Sequence, residues 1–186
     1  MRQVAALLLL GVMCFSSFAS ADQTELPIPN ILQETPVWCW AAVSEQIVLS
    51  MRGRAATPRQ CAMVAAAKNA SPAFCCQNPM SCAVTGDLSD IQNLIQYFGG
   101  SPSKILPPTD PFTLYGTLAS GHPVIMQLKM DQAGMAHVVV IRGMAIVPSA
   151  WGPRAFLFIN DPLQLYTEPI PFEDIIPMWK SAIVVN

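Results

Sequence analysis

Two side chains in this sequence carry the types needed for nucleophilic and acid–base chemistry, Cys39 and His137. Cys39 lies in the stretch Gln33-Glu34-Thr35-Pro36-Val37-Trp38-Cys39-Trp40-Ala41-Ala42-Val43-Ser44. Pro36 holds Thr35 extended and cannot sit inside a helix, so the chain turns helical only from about Cys39. Trp40, Val43, Ile47, Val48 and Met51 then keep helical spacing, and Gly53 is the natural stop. The thiol therefore falls in a first helical turn, where unpaired N–H groups and the positive end of the helix dipole favour an anion. The thiolate is the nucleophilic form of cysteine.

A thiolate nucleophile needs a proton acceptor, and the sequence contains two histidines. His122, in Gly121-His122-Pro123, reads as a solvated turn residue entering a strand. His137 stands near the start of the strand Ala136 to Gly143, with Val138 and Val140 on the opposite face and Val139 and Ile141 on its own. If buried among so many valines it needs a polar partner, either a catalytic carboxylate or amide or a backbone carbonyl. A third group must accept from the other imidazole N–H to orient the ring. Asn160 and Asp161 end the next strand and Pro162 stops its pairing. Adjacent residues face opposite ways, so one of the two can serve, although Asn-Asp-Pro is also an ordinary turn. Gln33, six residues before Cys39, can offer an amide N–H beside the Cys39 backbone N–H to hold a tetrahedral oxyanion. Trp38 and Trp40 read as packing residues, with a groove wall the alternative for Trp38, and Glu34 as a solvated charge.

The cysteine count supports the same position. Arg2 followed by the apolar run Val4 to Val12, then small residues ending Ala19-Ser20-Ala21, has the form of a secretory signal peptide spanning 1–21. Its apolar core is short of the roughly 20 residues of a spanning helix. Cys14 leaves with that segment, and Cys39, Cys61, Cys75, Cys76 and Cys82 remain. In an oxidising compartment the four between 61 and 82 can form two disulfides. Three connectivities are open, with a Cys75–Cys76 bond disfavoured by strain. A zinc site from the same four is the competing reading, weakened by the adjacency of Cys75 and Cys76. Cys39 is the cysteine left over.

The elements that must position these groups follow in chain order. Asp22 to Leu32, with Pro27 and Pro29, reads as an extended lead-in too short for a folded inhibitory prodomain. Thr57-Pro58-Arg59-Gln60 has the form of a capping box opening a helix over 57–68, with Cys61 placed to tie it to an irregular 71–86 loop. Leu88, Ile91, Leu94, Ile95 and Phe98 give an amphipathic helix begun by Thr85 or Asp87 and ended by Gly99-Gly100. Pro107-Pro108 is a spacer, and Asp110-Pro111 opens a short helix closed by Gly121. Pro123 to Met130, Ala136 to Gly143, Ala155 to Ile159 and Ser181 to Val185 read as strands, with one helical turn over Phe172 to Trp179. Helices first and sheet second make an α+β arrangement with a groove where the halves meet. The formal net charge of −2 gives no footprint for nucleic acid. Charged residues are 12% of the chain, about half the usual 25%.

The set Gln33, Trp38-Cys39-Trp40-Ala41-Ala42, Ala136-His137-Val138-Val139 and Asn160-Asp161-Pro162 resembles the papain-like cysteine peptidases. It is closest to compact bacterial members such as staphopains, plant-pathogen effector peptidases and bacteriocin-leader peptidases. The chain order Gln, Cys, His, Asn/Asp and the helix-then-sheet layout agree. In these relatives the third catalytic residue directly precedes a proline, which carries over to Asp161, with Asn160 the runner-up. Val37-Trp38-Cys39-Trp40 stands where plant and lysosomal members have Cys-Gly-Ser-Cys-Trp, so the resemblance implies no disulfide pairing.

The resemblance implies a papain-like α+β fold, with an N-terminal helical lobe carrying disulfides packed against a C-terminal antiparallel β-sheet lobe. It also implies an active-site cleft between the lobes. The expected organisation is a signal peptide, 1–21, and one peptidase domain, 22–186, exported to the periplasm or cell exterior. Cys39, His137, Asp161 and Gln33 are the expected catalytic residues, acting on a protein or peptide substrate without metal or organic cofactor. Rival readings keep the triad but hydrolyse cell-wall peptides or transfer the acyl group to an amine. A further rival is a non-catalytic, disulfide-held binding module.

Overall fold

The computed structural model of the chain describes residues 21–129 and 136–186, so the expected signal peptide lies almost wholly outside the described residues, as does Met130. The fold is α+β, with disulfides in its helical region. Helix α1 (Cys39–Arg52) starts at Cys39 and ends against Gly53, as the Pro36 and Gly53 signals imply. Trp40, Val43, Ile47 and Val48 are buried and Met51 is exposed. It packs on α2 (Gln60–Ala67), on α4 (Leu88–Tyr97) and across the sheet.

Two expectations in this lobe are corrected. The capping box at Thr57 does not form. The Thr57 hydroxyl donates instead to the Gly53 carbonyl at 2.8 Å, and α2 begins at Gln60 with no side-chain cap. Gln60 is drawn away from capping because its amide donates to the Leu32 carbonyl at 2.8 Å and to Glu45 Oε2 at 3.2 Å. The 71–86 segment is not irregular throughout. Ser71 caps α3 (Pro72–Gln77), which has proline in its first turn, and a 3-10 turn covers Pro79–Cys82. The cysteines pair as Cys61–Cys76 and Cys75–Cys82, leaving Cys39 free. All four thiols of the alternative zinc site are therefore consumed. Helix α4 begins as read, with Asp87 and Asp90 forming a reciprocal capping box, and α5 (Pro111–Ala119) is capped by Asp110.

The sheet is larger than the four expected strands. Its order is β2-β7-β3-β4-β5-β6, with β1 also paired to β4. The expected strands are β3 (Val124–Lys129), β4 (Ala136–Val147), β5 (Arg154–Asn160) and β7 (Trp179–Val185). Three short strands are added: β1 (Asp22–Glu25), β2 (Ser103–Leu106) and β6 (Ile170–Pro171). All pairs are antiparallel. The helical turn after β6 is α6 (Phe172–Ile175), followed by a 3-10 turn. β1 and β2 escaped the reading because both are four residues long and mostly exposed, with no apolar alternation to mark them. β1 can lie on β4 because Gly143 has no side chain: a Cβ there would meet the Thr24 carbonyl at 2.6 Å.

Alternation along β4 divides the core. Val138 and Val140 face the helical lobe with Ile125 and Ile183, against Trp38, Ile47 and Ile95. Val139, Ile141 and Met144 face the other way, against Leu114, Leu118 and Leu157. Val138 and Val140 seat β4 on the helical lobe and α1 packs against β4, and Cys39 and His137 are the first and second residues of those two elements.

Candidate active site

Cys39 is the first residue of α1 and is partly exposed. Its neighbours are both buried and both tethered. The Trp38 indole donates to the Cys82 carbonyl at 3.1 Å, and the Trp40 indole to the Val84 carbonyl at 3.1 Å. Segment 82–84 is itself held by the Cys75–Cys82 disulfide. Gly86 passes so close to Trp40 that a Cβ would stand 2.3 Å from its ring. Two anchors on one covalently braced segment thus fix the backbone on either side of the sulfur.

His137 is the second residue of β4 and is buried. Its Nε2 meets Asp161 Oδ1 at 2.7 Å, and Cys39 lies close enough to the ring to favour its protonated form. With Nε2 turned to the carboxylate, Nδ1 is the nitrogen left for the sulfur. Burial alone would lower the His137 pKa. The hydrogen bonds to Asp161 and Cys39, with the attraction of both groups for an imidazolium, outweigh it and raise the pKa from 6.5 to about 9. Burial likewise pushes Asp161 up, but His137 and the Leu163 N–H, which donates to Oδ1 at 2.9 Å, hold its carboxyl below the ordinary carboxylate value.

Asp161 and Asn160 do face apart. The Asn160 amide is buried and donates to the Ile28 carbonyl at 2.9 Å, so it secures the lead-in rather than the imidazole. His122 is not brought to the site: its Nδ1 lies 3.2 Å from the Val185 carbonyl, at the start of β3. Gln33 arrives beside the Asp161 loop, its N–H donating to the Pro162 carbonyl at 2.9 Å. Its Nε2 donates to the Thr35 carbonyl at 2.8 Å, which orients the amide and leaves the second N–H uncommitted by that bond. Gln33 Oε1 is buried without a hydrogen-bond partner.

The residues that anchor the lead-in on either side of Gln33 went unread. Glu45 and Gln46 are buried in α1. Glu45 pairs with Arg54 at 2.7 Å and accepts from Gln60, while Gln46 donates to Asn30 Oδ1 at 3.2 Å and to the Ile31 carbonyl at 3.1 Å. The available signal was the polar run Ser44-Glu45-Gln46 inside an otherwise apolar helix, since buried polar side chains must find partners.

A buried imidazole between a carboxylate and a thiol at a helix start suits acyl transfer through a thioester. The profile of the family described as papain-like cysteine protease AvrRpt2 matches residues 20–169. Among solved structures, a C39-like peptidase from Bacillus anthracis aligns with a TM-score of 0.51 at 15% identity, covering 89% of this chain and 98% of that chain. The digestive procathepsin L 3 of Tenebrio molitor larval midgut aligns with a TM-score of 0.52 at 11% identity, covering 91% of this chain and 71% of that one. At such identities these two likenesses speak for the fold alone. Comparison with curated proteins returns no match. Because the family match runs through most of the sequence, from the lead-in to beyond Asp161, the chain belongs to the family of the papain-like cysteine protease AvrRpt2 and is a cysteine-type peptidase.

Proposed function

We propose that residues 22–186 form an exported peptidase domain, released from a signal peptide spanning 1–21, that hydrolyses peptide bonds through Cys39, His137, Asp161 and Gln33. The observation that carries the proposal is His137 held at 2.7 Å by Asp161, with the free thiol of Cys39 beside the ring at the start of α1. The reactive form of the pair carries the proton on His137 and a thiolate on Cys39. The sulfur attacks the peptide carbonyl carbon, and the carbonyl electron pair moves to oxygen. The uncommitted Gln33 N–H and the Cys39 backbone N–H receive that charge. His137 then passes its proton to the leaving amine as the C–N bond breaks, leaving a thioester on Cys39. Neutral His137 next takes a proton from water, whose oxygen attacks the thioester, and the acid product leaves with the thiolate restored. Asp161 keeps Nε2 bonded throughout, so the ring presents Nδ1 to sulfur, amine and water in turn. Export fits the two disulfides, which persist in oxidising compartments. No helix among the described residues is long and apolar enough to cross a membrane.

The test is labelling by a thiol-directed epoxide together with cleavage of casein and of peptidoglycan peptides. Native protein should react at Cys39 much faster than urea-unfolded protein. Cys39→Ala and His137→Ala should fold and lose casein cleavage by a factor of about 10³ or more, while His122→Ala keeps it. Equal labelling of native and unfolded protein, or casein cleavage surviving in His137→Ala, rules the mechanism out. Cleavage of peptidoglycan peptides with casein untouched would move the substrate to the cell wall.

A further inference from the structure

Gln33 lies in the lead-in between β1 and α1, outside any helix or strand. A donor to an oxyanion is effective only if it is aimed before the charge develops, since reorienting it would offset the stabilisation it gives. Groups outside the segment must therefore hold it. The side chain placed to do so is Gln60, the first residue of α2 and 1% exposed. Its Nε2 donates to the Leu32 carbonyl at 2.8 Å, and its Oε1 accepts the Glu34 N–H at 2.9 Å. One amide thus bonds both peptide groups that flank Gln33, as the backbone of a neighbouring strand would. Each peptide group is a rigid plane, so fixing the two of them fixes φ and ψ of the residue between. The Gln33 N–H adds a third tie, to the Pro162 carbonyl at 2.9 Å.

The Gln60 amide is itself held in one sense. An amide can turn either its oxygen or its nitrogen toward a given partner, whereas an ionised carboxylate only accepts. Glu45 Oε2 accepts from Gln60 Nε2 at 3.2 Å. The nitrogen is thereby kept toward Glu45 and Leu32, and the oxygen toward Glu34. Glu45 is buried in α1, and its Oε1 is engaged by Arg54 at 2.7 Å. Neither side chain caps its own helix: α2 begins with no side-chain cap, and Glu45 lies in the second turn of α1. Burying an amide and a carboxylate between two packed helices costs free energy that an apolar pair would avoid. A role in the chemistry accounts for that cost.

We propose that Gln60 is a positioning residue for peptide hydrolysis, setting both backbone dihedrals of Gln33 so that its uncommitted N–H is aimed where the oxyanion forms, with Glu45 fixing the sense of the Gln60 amide. The proposal rests on the reading of Gln33 as oxyanion donor. Gln60 touches no substrate, and its effect is confined to the transition state.

The test compares Gln60→Met, which keeps the length of the side chain and neither bond, with Gln33→Ala and with the two combined. The substrate is one casein-derived peptide, and each rate is expressed per Cys39 titrated with the epoxide, so that unfolded protein does not count. In Gln60→Met kcat should fall roughly 10- to 100-fold with KM kept within about twofold. Affinity for a peptide aldehyde, whose oxygen takes the oxyanion's place once Cys39 has added to the carbonyl, should fall by a similar factor. Alkylation of Cys39 by iodoacetamide, which builds no oxyanion, should stay within about twofold of wild type. The combined variant should be within about twofold of Gln33→Ala alone, because residues that act through one another are not additive. Glu45→Gln, whose side-chain oxygen still accepts from Gln60, should retain most of kcat, and Glu45→Leu should lose it as Gln60→Met does. An unchanged kcat in Gln60→Met overturns the proposal. So does a loss that appears in KM, in iodoacetamide labelling or on top of the Gln33→Ala loss, since Gln60 would then brace the fold in general. Full kcat in Gln33→Ala removes the donor itself and the proposal with it, whereas a loss in Gln33→Ala with Gln60→Met unchanged strikes the proposal alone.

Discussion

At His137 the same contacts govern catalysis and stability. The proposed mechanism needs the imidazolium as proton donor, so kcat/KM should fall on the alkaline side as His137 loses its proton near pH 9. Stability follows the same group. Its pKa is raised above the unfolded value of 6.5, so its contribution is fully present below about pH 6.5 and is lost as pH rises through about 9. Denaturant melts taken at intervals between pH 6 and 10 should show this decline, and His137→Ala should flatten it. Asp161 and Asn160 should separate cleanly in a paired comparison. Asp161→Ala removes a contact that raises the imidazole pKa, so the alkaline limb should move to lower pH and kcat should drop roughly 10²-fold. Asn160→Ala orphans the buried Ile28 carbonyl instead, costing about 1–3 kcal/mol of stability while leaving the position of the alkaline limb unchanged. A pH–rate profile and a thermal melt for each variant decide the matter. Which of the two neighbours meets the ring was not readable from strand alternation alone, because alternation separates them without saying which face the imidazole occupies. The proline after Asp161 carried that choice, through family resemblance rather than physics.

Among the elements, the helical turn at Cys39 was legible because its signals are local: Pro36 before it, Gly53 after it, apolar spacing between. The short strands β1 and β2 were not, since their existence depends on edges offered by β4 and β7, more than seventy residues away in sequence. The Thr57 box failed for a related reason: a local capping pattern lost to Gln60's longer-range bonds with Leu32 and Glu45. The disulfide pairing could not be chosen by counting either, as it depends on how α2 and α3 pack. That packing matters to the site. Cys75–Cys82 braces the carbonyls that receive the Trp38 and Trp40 indoles, so replacing both cysteines by serine should loosen the nucleophile's neighbours. The expected outcome is a loss of about 2–4 kcal/mol in stability, a red shift in tryptophan emission and a lower kcat in the protein that remains folded. Emission and kcat unchanged in that folded fraction would limit the bridge to global stability.

Across the whole molecule, β1 begins at Asp22, the residue after the expected cleavage point. Exported protein should therefore carry Asp22 at its N-terminus, which sequencing of material from the periplasm or culture fluid checks; an intact residue 1 there would refute processing. The ordering of the sheet has a further consequence, for timing. β7, the most C-terminal of the described strands, is inserted between β2 and β3, and Asp161 comes more than a hundred residues after Cys39. A chain threading outward from its N-terminus exposes the sulfur early, yet the sheet on which His137 depends stays open until β7 has emerged and slotted into its interior. Such non-local pairing is slow to form, so the peptidase should stay silent while it is being made and, under the export proposed above, while it crosses the membrane. The fold itself would then delay activity until the chain has left the compartment whose proteins it could cut.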